Sequence, residues 1–354
     1  MVKKELENTI GFLSGDKWTF EFRTTTSRFR GDKKNTKNLI FAERFDSVSL
    51  FSGGLDSFCG ALTLSENEKN TLYIGFREYN LLTNRQKELF DSIRDSYSEL
   101  ESELLLFNVN PFSPLQRGER IEKLPGESTS RSRSFLFIAG AMSVASIIGR
   151  KTPVYIPENG FIGVNVPLTD SRTGSCSTRT THPIFINSLN KIFEKIGIEN
   201  RVSNFYWNKS KGEILEEHKN NAVFKQKSHR TLSCSHPCLS RYDKKRSDKV
   251  VTPCNCGYCY PCLIRMASFT KIEQDETCYN PLYKLGKDFI LNHNNIQGRA
   301  SDLKAVLFSL KRYIKHRDDI EYIRSLLLRQ GPLATNAKLK MYKSDRLIMY
   351  SLDH

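Results

Sequence analysis

Between Val48 and about Leu64 a short apolar run, Val48 to Phe51, passes straight into Ser52-Gly53-Gly54-Leu55-Asp56-Ser57 and then into a helical stretch. Nothing else in the sequence narrows the fold as much. Four to eight apolar residues bounded by turn residues read as a buried strand. Two adjacent glycines permit a tight turn and close backbone approach. A strand followed by a turn and a helix is the opening of a parallel sheet, whose strands need crossover connections.

The alternation continues. A second strand is predicted over Leu72 to Phe76, then a helix with Leu82, Leu89, Phe90, Ile93 and Tyr97 on one stripe. Glu103 to Val109 reads as a third strand. Ser134 to Ile148 reads as a buried helix ending at Gly149, and Val154 to Ile156 as a fourth strand. The expectation is an α/β fold, a parallel sheet flanked by helices, over residues 46–230. Residues 1–45 read as a small β-rich appendage, because Trp18, Phe20 and Phe22 alternate with polar residues. Residues 231–270 hold a cysteine-rich segment. Residues 271–354 read as a helical extension with apolar stripes at Leu303, Val306, Leu307, Leu310 and Ile314 and at Ile320, Ile323, Leu326 and Leu327.

Composition removes several classes. The 354 residues suggest about two domains, and 38% hydrophobic with 26% charged residues is an ordinary globular balance. The N-terminus mixes Lys3, Lys4, Glu5 and Glu7 with no apolar signal core, and the longest apolar-rich run, Phe135 to Ile148, is too short to span a membrane. The chain is therefore expected to be cytoplasmic, with no membrane partner and reduced cysteines. With 54 Lys+Arg against 39 Asp+Glu, the net charge of +15 favours anionic partners. Residues 225–250 carry eight Lys/Arg against Asp243 and Asp248. Only Tyr242 interrupts them as an aromatic, so nucleic acid is a possible partner but not the favoured one.

The loop from Ser52 to Ser57 lies where an open parallel sheet binds ligands, at the carboxyl end of a strand. Its backbone N–H groups and the start of the following helix form an anion cradle, to which Ser52 and Ser57 add hydroxyls. Asp56 makes sense beside a phosphate only with a cation close by, most simply Mg²⁺. No Lys-Ser/Thr follows the glycines, so this is not a Walker A loop.

The second concentration of chemistry is in the cysteines. Of nine, Cys256, Cys259 and Cys262 form a Cys-x2-Cys-x2-Cys knuckle with Gly257 at the bend. A fourth thiolate closes a structural tetrahedral zinc site, and Cys234, Cys238 and Cys254 all qualify by type. The same spacing is compatible with an iron–sulfur cluster.

The SGGxDS loop resembles the PP-loop of ATP pyrophosphatases, which release pyrophosphate from ATP and leave AMP on the substrate. Paired with a downstream cysteine knuckle, it is similar to the QueC family, the 7-cyano-7-deazaguanine synthases. Thr231-Leu-Ser-Cys234 resembles the segment holding that family's first zinc ligand. Cys256-Gly-Tyr-Cys259-Tyr-Pro-Cys262-Leu-Ile-Arg265 resembles the stretch holding the other three. The resemblance selects Cys234 as the fourth ligand and implies ATP, Mg²⁺ and Zn²⁺ as cofactors. It also implies an adenine-side strand ending at Gly75 and Phe76.

The middle of the chain departs from QueC. Glu127 to Ser134, Pro157-Glu-Asn-Gly160 and Ser177 to Pro183 look like the QatC-type branch found in Qat anti-phage defence systems. What this implies is activation of a 7-deazaguanine carboxylate and its transfer to ammonia or to an amine of a QatB-like partner protein. Substrate-binding or catalytic candidates are Arg131 and Arg133 as anion clamps, Glu158 and Asn159 after a strand end, and Arg172, Arg179 and His182 on a Ser/Thr-rich loop. Glu158 would accept hydrogen bonds from a purine edge and His182 would shuttle protons. Two alternatives stand beside this reading: a tRNA-modifying PP-loop enzyme and a non-catalytic nucleotide-binding scaffold subunit.

Overall fold

The computed structural model describes residues 2–24, 44–109, 115–116, 119–120, 132–166, 168, 179–235, 237, 255–257, 259–279 and 301–333. Five strands form one parallel sheet: β1 (Ser47–Leu50), β2 (Thr71–Phe76), β3 (Ser102–Phe107), β6 (Val154–Tyr155) and β7 (Val202–Ser203). Their spatial order is β3-β2-β1-β6-β7. Val48 pairs with Leu72 on one side and Val154 on the other, and Val154 pairs with Val202. β4 (Leu115–Gln116) and β5 (Glu119–Arg120) form a separate antiparallel ribbon. The α/β fold class and the four strands read from the sequence are thus present, with β7 added.

Successive strand residues face opposite sides, so one sheet feeds two cores. Tyr73 enters a cluster with Phe51, Phe58, Leu62, Leu89 and Phe224, which joins α2 (Leu55–Glu66), α3 (Asn80–Ser96), α7 (Lys211–His218) and α8 (Ala222–Lys227). Its neighbour Ile74 enters the other cluster with Ile138, Met142, Phe185 and Leu189, from α4 (Arg133–Ile148) and α6 (Pro183–Lys195). Helix α2 is buried on nearly every face. It lies so close to the end of β6 that a Cβ at Gly60 would fall 2.3 Å from Pro157 Cβ, so only glycine permits the contact.

The N-terminal expectation needs correction. Residues 3–14 form a helix, α1 (Lys3–Ser14), and no strand occurs among the described residues of 2–24. Leu6, Ile10 and Leu13 follow a helical stripe, and Ile10 and Leu13 are buried in the second core. The Trp18 and Phe20 rings stack on each other and on that core instead of entering a ladder.

The C-terminal helices α10 (Ser301–His316) and α11 (Ile320–Leu327) are present as expected, and α9 (Tyr260–Thr270) precedes them. Their apolar stripes are only partly covered: Leu303 and Ile323 are buried, while Leu307, Leu310, Ile314 and Ile320 are exposed. Gly149 ends α4 with φ −176°, an extended conformation open to any residue rather than the left-handed cap expected.

Candidate functional site

The strand order reverses between β1 and β6. From β1 the chain crosses to β2 on one side, and from β6 it crosses to β7 on the other, so the two following segments part and leave a crevice at the carboxyl ends. The loop from Ser52 to Ser57 fills the β1 side of that crevice. Gly53 has φ +79°, which a side chain resists, and a Cβ there would also press on Gln86 Cγ at 3.0 Å. Within the loop, the Gly54 N–H donates to Ser52 Oγ at 3.2 Å, Ser52 Oγ and Ser57 Oγ are 3.1 Å apart, and Ser57 Oγ donates to the Gly54 carbonyl at 3.0 Å. These bonds set the turn before any ligand arrives.

In front of the loop is a cavity of about 400 Å³, within the range of small-molecule sites. Ser52, Gly54, Leu55, Asp56, Ser57, Phe76, Arg133, Glu158, Lys211 and Ser233 are among its lining residues. Gly75 precedes Phe76, and a Cβ there would fall 2.9 Å from the Phe51 carbonyl oxygen. Arg133, at the start of α4, donates to Glu78 Oε1 at 2.8 Å.

The charged centre is Asp56. Its Oδ1 is 2.7 Å from Lys211 Nζ, and its Oδ2 accepts from Asn159 Nδ2 at 2.7 Å; all three residues are buried. Among the described residues the cation facing Asp56 is the Lys211 ammonium. Asn159 also caps α5 (Gly160–Val164) by accepting the Ile162 N–H, so one amide fixes both the helix start and the carboxylate. Glu158 accepts from Thr181 Oγ1 at 3.1 Å. Burial, reinforced by the negative charge of Asp56, pushes its carboxyl up to about 7, against the pull of the Thr181 hydrogen bond and Lys211.

Four cysteine sulfurs, of Cys234, Cys256, Cys259 and Cys262, lie within 4.8 Å of one another. The Cys234–Cys259 and Cys256–Cys262 separations are both 3.9 Å. Four thiolates around a tetrahedral ion at ~2.3 Å stand about 3.8 Å apart. The set therefore fits a single metal ion such as zinc; a cluster, with its own irons and sulfides between the ligands, needs them further apart. The N–H groups of Cys256 and Cys259 donate to the sulfurs of Cys234 and Cys256, and Gly257 makes the bend with φ +83°. Cys238 and Cys254 lie outside the described residues.

No family model matches this chain, and no curated protein matches it. The assignment of its chemistry therefore rests on the residues themselves.

Among the remaining sequence candidates, Arg131 and Arg172 lie outside the described residues. Arg179 is not at the cavity. Its guanidinium donates to the Phe12 carbonyl and to Gln330 Oε1 and lies over the Phe12 ring, tying α1 to the turn after α11. His182 is likewise turned away. Its Nδ1 accepts the Ile184 N–H as the cap of α6, its ring packs edge-on to Phe12, and burial and Arg179 lower its pKa to about 4. An imidazole held neutral in the core is a helix cap, and the proton-shuttle expectation for it is not supported.

Three site residues escaped the sequence reading. Lys211 had one signal: a lysine in the first turn of a helix opposes the helix dipole, so something else holds it there. Ser233 adjoins Cys234, whose thiol is the stronger signal. Gln86, buried on α3, donates to the Phe51 and Phe76 carbonyls at 3.2 and 3.4 Å and pins the ends of β1 and β2 together. Nothing local marks it.

Proposed function

We propose that this protein is a QueC-like ATP-dependent ligase that adenylates the carboxylate of a 7-deazaguanine-type substrate, releases pyrophosphate and passes the acyl group to a nitrogen nucleophile. The observation that carries this reading is the position of the SGGxDS loop, at the strand-order reversal and against a cavity of small-molecule size.

In the first step a carboxylate oxygen of the substrate attacks the α-phosphorus. The bond to the bridging oxygen breaks, and its electron pair leaves with pyrophosphate. The loop N–H groups, the start of α2 and the Lys211 ammonium stabilise that departing charge. Because Asp56 and Asn159 hold Lys211 and the loop in one arrangement, little reorganisation is needed when the charge develops. Mg²⁺, bound through phosphate oxygens, would supply further neutralisation. In the second step the nitrogen attacks the acyl carbon, AMP departs and the nitrogen loses a proton. Glu158 is suited to take it, since a base titrating near neutrality is half-ionised at the working pH. A metal at the four cysteines, zinc by ligand type, is saturated by protein sulfur and serves structure rather than the reaction.

The sequence resemblance extends the reading to Qat-type anti-phage defence, with an amine of a QatB-like protein as acceptor. The first test is pyrophosphate release from ATP, Mg²⁺ and 7-carboxy-7-deazaguanine, with ammonium or the partner protein added. Release that disappears in Asp56→Ala is the expected result. No release under any of these conditions overturns the ligase, and tight ATP binding without release favours a scaffold. Intact mass of the partner, purified with and without this chain, then separates a protein acceptor from ammonia by a deazaguanine-sized gain.

A further inference from the structure

We infer that the four-cysteine metal centre sets the conformation of the phosphate loop, and that Ser233 is the positioning residue through which it does so. The inference rests on the nucleotide reading of the loop for its functional meaning, but the coupling is built from contacts within the protein. Residues 231–234 have no regular secondary structure, so their place is fixed by side-chain and backbone bonds on two sides.

On the loop side, the Leu232 N–H donates to the Gly53 carbonyl at 2.9 Å, and Ser233 Oγ accepts the Leu55 N–H at 3.1 Å. Leu55 opens α2, and the first N–H groups of a helix have no partner within it. Gly54, at the cap position, supplies no side chain, so Ser233 provides the cap from 178 residues away. Ser233 also lines the cavity, and a hydroxyl that accepts from Leu55 still has its proton to donate.

On the metal side, Cys234 is the next residue and its sulfur accepts the Cys256 N–H at 3.2 Å. Buried Asn255 accepts the Ser233 N–H at 3.3 Å. Arg265, three residues beyond Cys262 and fully buried, donates to Thr231 Oγ1 at 2.6 Å and to the Ser228 carbonyl at 2.8 Å. Losing the metal frees Cys234 from the other three cysteines. The segment then keeps its anchor at Arg265, while its bonds from Ser233 to Asn255 and from Cys234 to Cys256 run to a knuckle that has lost its cross-link.

The test uses the full chain, with metal content measured. Ser233→Ala keeps all four cysteines and removes only the hydroxyl. It is expected to retain stoichiometric metal, to bind MgATP about tenfold more weakly, and to speed amide hydrogen exchange in residues 52–57 while β2 is unchanged. Ser233→Thr is expected to restore both. Metal-stripped wild type is expected to show the same local rise in exchange. Unchanged exchange at 52–57 in both Ser233→Ala and the stripped protein overturns the inference. Failure of wild type to bind MgATP overturns the nucleotide reading instead, and the exchange arms, which need no ligand, still decide the coupling. Should the stripped protein unfold, Cys234→Ser, with its metal content measured, takes the place of that arm, and unchanged exchange at 52–57 in it overturns the metal's part in the coupling.

Discussion

Asp56 and Lys211 are both buried and 2.7 Å apart, so each removes the other's reason to be costly. Taking either charge out of water alone costs several kcal/mol, which the partner and the Asn159 hydrogen bond offset. Lys211→Met leaves the carboxylate buried without a counter-charge, and a loss of about 3–5 kcal/mol in urea denaturation is expected. Adding Asp56→Asn to that variant removes the stranded charge and keeps an amide for Asn159 to meet, so the double variant is expected to recover part of the loss. A double variant no better than Lys211→Met would mean that the pair is not coupled. Glu158 makes a second prediction at this scale. Its folded-state pKa is raised from 4.5 to about 7, so the folded chain holds the proton more tightly than the unfolded one. The stability this contributes is present below pH 4.5 and is lost as pH rises from about 4.5 through about 7. Glu158→Gln is expected to flatten that part of a urea-midpoint profile, and any amide-forming activity is expected to lose its rise through about pH 7.

At the scale of elements, α6 shows a helix cap that also titrates. His182 accepts the Ile184 N–H only when neutral, and its pKa falls from 6.5 to about 4 in the fold. A depressed pKa gives stability that is complete above pH 6.5 and is lost as pH falls from about 6.5 through about 4. His182→Asn keeps a good capping side chain without the titration. Its acid-unfolding midpoint is expected at lower pH than that of wild type, and an unchanged midpoint would show that His182 does not drive acid unfolding. Such an element also shows what the sequence could and could not reveal. The strand, loop and helix from Ser47 to Glu66 were legible because each is specified by adjacent residues: an apolar run, two glycines, then a helical continuation. Cys256, Cys259 and Cys262 were legible because their spacing carries its own geometry, whereas Cys234 was one of three candidates by type and was selected by the resemblance. Lys211, Ser233 and Gln86 were not legible, because each acts on the loop from another element. Asp56 meets Lys211 on α7, and Leu55 meets Ser233 across 178 residues. His182 was misread for the same reason: its burial against Phe12 comes from α1, an element far from it in sequence.

Across the whole molecule, one sheet separates two cores that serve different ends of the chain. The core with Phe51, Phe58 and Phe224 underlies the loop from Ser52 to Ser57 and the helices that carry Lys211 and Gln86. The other is closed by α1, whose Ile10 and Leu13 pack with Phe185 and Leu189 of α6, while the Glu5–Lys195 ion pair and Arg179 hold the helix from outside. No residue of α1 lines the cavity. Ile74 and Ile156 of that core do line it, so it is the stability contributed by α1, rather than by the whole core, that is expected to separate from ligand binding. Leu13→Ala, at a fully buried position, is expected to lower unfolding stability by about 2–5 kcal/mol in urea. MgATP affinity, measured by titration calorimetry at a temperature where the variant is still folded, is expected to stay at the wild-type value. A parallel loss of affinity would mean that strain crosses the sheet from α1 to the loop. That would make the N-terminal helix part of the support of the proposed nucleotide site, rather than only the cover of the second core.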